Sequence, residues 1–126
     1  MVEIVFAADA VPPLPVFSQA VISRGTVYAS GSIGCNPDLT LVEGGIPAQT
    51  KAALENLQKV LKAAGTDFEH LIKANIFLTD MANFGAMNEV YTQFFTKGHL
   101  PARTCVAVKA LPLGASVEIE GIAEIP

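Results

Sequence analysis

Residues 47–78, PAQTKAALENLQKVLKAAGTDFEHLIKANIFL, contain a change of hydrophobic period that decides the fold. In the first half, apolar residues recur at the helical spacing: Ala53, Leu54, Leu57, Val60, Leu61 and Ala64. Pro47 suits a first helical turn and Gly65 suits the position just beyond a last one, so a helix is predicted over Pro47 to Ala64. Leu71 to Leu78 is a run of apolar and β-branched residues, which predicts a strand.

The segments upstream of this helix predict a β-hairpin and a long loop. Ser18 to Ser23 and Thr26 to Ser30 flank Arg24-Gly25, a dipeptide that suits a tight turn. Turn-forming residues fill Gly31 through Gly45, which predicts a loop with one short strand near Leu39 to Val42. Before the hairpin, three prolines make the chain extended and non-helical: Pro12, Pro13 and Pro15.

The segments downstream of Leu78 complete the pattern. A second helix is predicted over Asn83 to Phe95, and two strands over Arg103 to Ala110 and Ser116 to Glu124. Pro112 and Gly114 form the turn between these strands. The order ββ(β)αβαββ predicts an α+β fold in which both helices cover one face of a sheet, within a single domain of residues 1–126.

The composition predicts an oligomer. Apolar residues make up 51% of the chain, charged ones only 16%, and the mean hydropathy is +0.43. A domain of 126 residues cannot hide that much apolar surface alone. Its longest apolar runs are strand-sized, which argues against a membrane span and favours contact between copies of the chain.

The charge, the cysteines and the N-terminus argue against a nucleic-acid-binding, metal-binding or secreted protein. A net charge of −4, a pI near 5.0 and scattered lysines disfavour nucleic acid as a partner. Cys35 and Cys105 lie too far apart in sequence to suggest a metal pair, and two histidines are too few for a zinc site, so no metal or cofactor is expected. The N-terminus lacks the pattern of a secretory signal. We expect a cytoplasmic or mitochondrial protein with free thiols.

A few polar residues could carry chemistry. Arg103 is the residue type that binds a carboxylate bidentately, although an exposed arginine at a strand start is the commoner explanation. Glu118 and Glu120 could serve general acid–base catalysis or be an ordinary solvent-facing strand surface. Ser30 and Gly31, where a strand enters a loop, could meet a ligand through a hydroxyl and a backbone N–H. Cys105 is more often a small buried hydrophobe than a nucleophile.

Several segments together resemble the YjgF/Rid family. They occur in family order from about residue 10 to the C-terminus: Phe17-Ser18-Gln19-Ala20, Val27-Tyr28-Ala29-Ser30-Gly31, Asn75-Ile76-Phe77-Leu78-Thr79-Asp80, Asn88-Glu89-Val90-Tyr91, Pro101-Ala102-Arg103-Thr104-Cys105-Val106 and Val117-Glu118-Ile119-Glu120. Two positions depart from many members, which have tyrosine where this chain has Phe17 and glutamine where it has Ser32.

The resemblance implies a chorismate-mutase-like homotrimer with a mixed six-stranded sheet and two helices on one face. It also implies RidA-type 2-iminobutanoate/2-iminopropanoate deaminase activity without a cofactor, protecting the cell from reactive 2-imino acids. Arg103 would bind the substrate carboxylate and Glu118 would activate the attacking water. The resemblance further implies that the cleft is lined by Phe17, Ser30, Gly31, Asn88 and Cys105.

Two alternatives remain open from the sequence. Some members of the family are described as endoribonucleases that inhibit translation, although the acidic pI speaks against RNA binding. A trimer without catalytic activity could also use Arg103 to bind small carboxylates, or act as a chaperone, through the same clefts. Glu118 discriminates between binding and catalysis, because pure binding should tolerate Glu118→Gln.

Overall fold

A computed structural model describes all residues, Met1–Pro126, as one six-stranded mixed sheet with two α-helices. The strands are β1 (Glu3–Val5), β2 (Ala20–Ser23), β3 (Thr26–Ile33), β4 (Leu71–Leu78), β5 (Ala102–Ala107) and β6 (Val117–Glu124). Their order in the sheet is β1-β2-β3-β6-β4-β5. Only the β4–β5 pair is parallel. The predicted α+β class, six-stranded mixed sheet and pair of helices are confirmed.

The first helix, α1 (Gly45–Ala63), ends as its sequence predicts. Gly65 lies at a φ of 92°, in the left-handed region that glycine adopts without steric cost. The Gly65 N–H donates to the Lys62 carbonyl and the Thr66 N–H donates to the Leu61 carbonyl, which is the pattern of a Schellman cap. This cap stops α1 and turns the chain back toward β4.

The helices lie on one side of the sheet and enclose the core. α1 packs over β3 and β6, and the second helix, α2 (Phe84–Tyr91), packs against α1. The fully buried side chains between these layers include Leu54, Leu57, Ile76 and Ile119. None of the helices has both the length and the apolarity that a membrane crossing requires.

Several sequence-based predictions of elements need correction. β5 ends at Ala107 and not at Ala110, and β3 continues to Ile33 through the start of the predicted loop. α2 ends at Tyr91, because the chain tightens into a 3₁₀ turn over Thr92–Phe94 instead of continuing to Phe95. No strand forms near Leu39 to Val42, where a single bridge between Cys35 and Leu41 is all that pairs. The N-terminal lead-in contains an edge strand, β1, which the sequence did not reveal because three residues are too few to show alternation.

The β2–β3 hairpin turns as predicted at Arg24-Gly25. Both residues have positive φ, 51° and 77°, as a two-residue type I′ turn requires. Arginine is poorly suited to this left-handed backbone conformation, whereas asparagine tolerates it.

Replacing Arg24 with asparagine is therefore expected to raise the free energy of unfolding by about 1 kcal/mol. Chemical denaturation of the two proteins checks this, with an unchanged dependence of the free energy on denaturant as the control. A variant no more stable than the wild type would show that the hairpin carries no strain at Arg24.

Candidate active site

Arg103 is held by one face of α2. In the parallel register with β4 it lies beside the buried Ala74, so its side chain is on the helix side of the sheet. Its Nη1 donates to Asn88 Oδ1 at 2.6 Å. The guanidinium carbon lies 4.9 Å from the Tyr91 ring centroid and 5.5 Å from that of Phe84. These three helix residues, spaced i, i+4 and i+7, fix the guanidinium in place.

The charge of Arg103 has no anionic partner within the chain. The one ion pair between a lysine or arginine and a carboxylate in the molecule joins Lys62 to Asp67. Because a partly buried cation is costly unless paired, the free donors of this guanidinium favour an external anion. Next to it, the buried Tyr91 hydroxyl also lacks a hydrogen-bond partner. The arrangement suits a carboxylate.

Glu118 lies on the opposite face of the sheet. It projects from β6 beside Ile33 and Phe77, on the side that the helices do not cover. Burial, and secondarily the nearby charge of Glu120, raise the pKa of the Glu118 carboxyl above its ordinary value. A carboxyl with a raised pKa is a stronger base than an ordinary carboxylate, which suits a group that must take up and release a proton during general acid–base catalysis.

A cleft of about 210 Å³ opens beside Glu118. Phe17, Ser30 and Gly31, three of the residues that the family resemblance assigns to the binding cleft, lie along it. A β-bulge in β3 between Ala29 and Ser32 displaces the strand here. A Cβ atom on Gly31 would lie only 2.7 Å from Glu118 Cδ. Glycine at this position therefore makes room for the carboxyl group.

Ser30 can offer a ligand fewer hydrogen bonds than its hydroxyl group suggests. Its Oγ donates to the Ser18 carbonyl at 2.6 Å, and its N–H donates to the Gln19 carbonyl. The hydroxyl proton is thus occupied, and only the oxygen lone pairs face the cleft as acceptors. Ser30 can accept a hydrogen bond from a ligand but has no free proton to donate.

Cys105 lies two residues after Arg103 on the same face of β5. Burial raises the pKa of this thiol, against a smaller opposing effect of the Arg103 charge. The protonated thiol is a poor nucleophile at neutral pH. Cys105 therefore suits the wall of a binding site better than covalent chemistry.

A single chain does not bring Arg103 and Glu118 together. Arg103 pairs with Ala74 of β4, Ala74 pairs with Gly121 of β6, and Glu118 lies three residues further along on the other face. Strand spacing and rise put their Cα atoms roughly 14 Å apart in the plane of the sheet. The structure therefore divides the predicted residues into two groups, one with Arg103, Asn88 and Cys105, and one with Glu118, Phe17, Ser30 and Gly31.

Sequence reasoning missed several residues around these groups. Phe84 and Tyr91 were not singled out from the sequence, and their spacing from Asn88 was the signal that all three face Arg103. Leu39 and Leu113 also line the cleft beside Glu118. Nothing in their local sequence indicates this, because each comes from a separate loop.

The comparisons with known proteins identify the family. Residues 7–125 match the family model described as endoribonuclease L-PSP. The chain belongs to this family. It is the family that the YjgF/Rid resemblance predicted, and several mammalian members, 41–48% identical to this chain, are named 2-iminobutanoate/2-iminopropanoate deaminase.

Individual relatives cover nearly the whole chain. The rat 2-iminobutanoate/2-iminopropanoate deaminase is 43% identical over 96% of this chain and 88% of its own length. The crystal structure of yeast Mmf1 has a TM-score of 0.95 and 35% identity, with both chains fully covered. That of E. coli TdcF with bound serine has a TM-score of 0.91 and 33% identity over 97% of this chain and 98% of the other. These likenesses confirm the predicted fold.

Proposed function

We propose that this protein hydrolyses 2-imino acids, including 2-iminobutanoate and 2-iminopropanoate, to 2-keto acids and ammonia. The main observation behind the proposal is that two groups with complementary chemistry, one cationic and one acidic, have no structural role in the fold. Arg103 is a cation without an anionic partner, and Glu118 is a carboxyl with a raised pKa beside an apolar cleft. Mammalian relatives bear the name of this activity, and the serine bound to E. coli TdcF carries, like a 2-imino acid, a carboxylate next to a nitrogen-bearing carbon.

Hydrolysis of a 2-imino acid requires little from the enzyme beyond the positioning of the substrate and of a water molecule. Arg103 binds the substrate carboxylate through its free guanidinium donors, which fixes the C2 carbon in the cleft. The Glu118 carboxylate takes a proton from a water molecule as the water oxygen bonds to C2 of the protonated imine and the C=N π electrons move to the nitrogen, giving a carbinolamine. The protonated Glu118 then gives this proton to the nitrogen, the C–N bond breaks as the hydroxyl oxygen forms a double bond to C2, and ammonia leaves. The hydroxyl proton passes to the Glu118 carboxylate and from there to solvent, which gives the 2-keto acid and regenerates the site.

The two halves of this site would come from two copies of the chain in a homotrimer. The sheet face that carries Glu118 is uncovered by any helix and displays apolar side chains: Tyr28, Ile33, Phe77, Val106 and Ile122. A second chain packed there would bury them. In a cyclic assembly, Arg103 of one protomer could then reach the Glu118 cleft of the next. The lone hydroxyl of Tyr91 beside Arg103 supports a site completed from outside the chain.

A coupled assay tests the activity. A threonine dehydratase releases 2-iminobutanoate from threonine, and semicarbazide traps whatever imine survives. The protein is expected to suppress semicarbazone formation in proportion to its concentration. Unchanged semicarbazone formation at stoichiometric protein would leave only small-carboxylate binding as the function of Arg103.

Gly31→Ala is expected to reduce imine hydrolysis about a hundredfold while the protein stays folded. The added methyl group would lie 2.7 Å from Glu118 Cδ, so the carboxyl group must swing away from the position where it activates water. Steady-state kinetics and a thermal unfolding curve measure the two effects. Gly85→Ala is the matched control, because a Cβ there meets no atom within 4 Å. Full activity in Gly31→Ala would mean that the position of Glu118 is not critical.

RNA cleavage is the competing activity, because the matching family model carries that description. A net charge of −4 and lysines scattered along the sequence argue against a basic surface that binds phosphates. We expect no cleavage of single-stranded RNA by a preparation that hydrolyses imines. We expect the protein in the cytoplasm or the mitochondrion, where pyridoxal-phosphate enzymes release such imines.

A further inference from the structure

Two leucines in the cleft have an unusual backbone conformation. Three residues other than glycine have positive φ, and the hairpin turn accounts for Arg24. The other two are Leu39, at 67°, and Leu113, at 58°. A bulky side chain is strained in this region, where glycine or asparagine would be at ease. Both leucines line the cleft beside Glu118 although they come from loops more than seventy residues apart in sequence.

Neither leucine stabilises the core. Leu39 is 39% exposed and Leu113 is 53% exposed, so the strain at each position is not offset by burial within the chain. The backbone turns that hold them are made by other residues. The Leu39 N–H donates to the Asn36 carbonyl, and the N–H groups of Gly114 and Ala115 close the turn around Leu113. Glycine would fit both turns, so the turns themselves do not require the leucine side chains.

The cleft offers almost no free polar group apart from Glu118. The Gln19 amide bonds to the backbone at Ala7 and Val11, and Asn56 bonds to the Val11 N–H and to the Ser32 hydroxyl. Ser30 donates to the Ser18 carbonyl. The rest of the wall is largely apolar, including Leu14, Phe17, Ile33, Leu39 and Leu113. A substrate side chain entering this cleft would therefore meet hydrocarbon.

The volume of the cleft exceeds what a small imine needs. At about 210 Å³ it corresponds to several water molecules, each of which occupies about 30 Å³ in the liquid. 2-Iminopropanoate, with only six non-hydrogen atoms, would leave part of it unfilled. A branched or thioether side chain would displace this water and contact the two leucines.

Resting on the proposed function, we infer that Leu39 and Leu113 form a side-chain pocket that makes the protein prefer 2-imino acids with larger apolar side chains. The substrates favoured by this pocket would be imines derived from free amino acids such as leucine or methionine. Each methylene group transferred from water to the leucines should raise kcat/KM by about fourfold when fully buried. The isobutyl imine derived from leucine should thus exceed 2-iminopropanoate by at least about tenfold, since the cleft is partly open.

The test compares kcat/KM for two imines in the full-length protein. Threonine dehydratase acting on serine supplies 2-iminopropanoate, and an L-amino-acid oxidase with catalase acting on leucine supplies the isobutyl imine. The double variant Leu39→Gly/Leu113→Gly removes the pocket walls and relieves the strain at both positions. Its selectivity ratio, isobutyl imine over 2-iminopropanoate, is expected to fall about tenfold while its thermal stability is at least that of the wild type.

Arg24→Gly is the matched control, because it relieves the third strained position far from the cleft and should leave the ratio unchanged. A wild-type ratio near one, or an unaltered ratio in the double variant, would overturn the inference while the proposed function stands. Dissociation of the assembly in the double variant, measured by light scattering, would also overturn it, because the leucines would then be subunit contacts. Failure of the wild type on both imines would instead contradict the proposed function.

Discussion

Arg103→Lys is expected to lower kcat/KM for 2-imino acids by at least about a hundredfold, chiefly by raising KM. Lysine retains the positive charge but loses the planar fork that binds both carboxylate oxygens. It also loses the geometry of the hydrogen bond to Asn88 and of the packing on Tyr91 and Phe84. The substrate carboxylate is unchanged by the reaction, so its binding is similar in the ground state and the transition state, which is why KM should respond more than kcat.

The control for this substitution is the other arginine of the chain. Arg24→Lys alters the β2–β3 turn and no residue of the site. Its kinetic constants should be those of the wild type. Initial-rate measurements over a range of imine concentrations separate KM from kcat for both variants. An Arg103→Lys protein with wild-type KM would show that the guanidinium does not bind the substrate carboxylate.

Glu118→Gln is expected to lower kcat by about 10²–10⁴-fold, the usual contribution of a positioned general acid–base group. Glutamine has nearly the same shape but cannot take a proton from water. Substrate binding through Arg103 should persist, so KM should change little. This is the opposite kinetic signature to that of Arg103→Lys, and a protein that merely binds carboxylates would show neither.

Glu120→Gln is the matched control, since Glu120 lies two residues along the same strand on the same face and bonds to Asn75 Nδ2. It should keep most of the activity. Its negative charge contributes to the raised pKa of Glu118, so removing it should lower that pKa. Activity requires the Glu118 carboxylate and falls as pH drops through its pKa. The acid limb of the pH–rate profile should therefore move to lower pH in Glu120→Gln. A profile that stays in place would mean that another group controls it.

The raised pKa of Glu118 also has a consequence for stability. A carboxyl whose pKa is higher in the folded than in the unfolded state stabilises the fold below its unfolded pKa, and this contribution is lost as pH rises through its folded pKa. At neutral pH the wild type thus keeps an unfavourably buried charge. Glu118→Gln should melt at least as high as the wild type at neutral pH, and the difference should shrink in acid. A catalytic loss with no loss of stability would separate function from folding.

Much of the fold could be predicted where a segment carries a strong period. α1 and β4 were predicted within two residues at each end because six apolar residues recur at the helical spacing and are followed by a continuous apolar run. α2 was predicted too long because aromatic residues continue at the helical spacing from Phe84 and Tyr91 to Phe94, whereas the backbone tightens into a 3₁₀ turn after Tyr91. Periodicity reports which side of a segment is buried and says little about where its hydrogen bonding changes.

The site was less accessible to sequence reasoning. Arg103 and Glu118 stood out through the family resemblance, since their residue types alone favoured an ordinary surface. Their separation could not be foreseen, because the side of the sheet that Arg103 occupies depends on the parallel register of β5 against β4. The role of Leu39 and Leu113 depends on backbone φ angles and on two loops meeting at one cleft. Such features are set by tertiary packing.

Mixing two inactive variants tests the central claim most directly. Arg103→Ala and Glu118→Gln chains, each inactive alone, are unfolded together, refolded as a mixture and assayed for imine hydrolysis. If each site takes Arg103 from one chain and Glu118 from the next, random assembly restores intact sites at about a quarter of the interfaces of a cyclic oligomer. We predict recovery of roughly a quarter of the wild-type activity. A mixture as inactive as its components would contradict a site shared between chains.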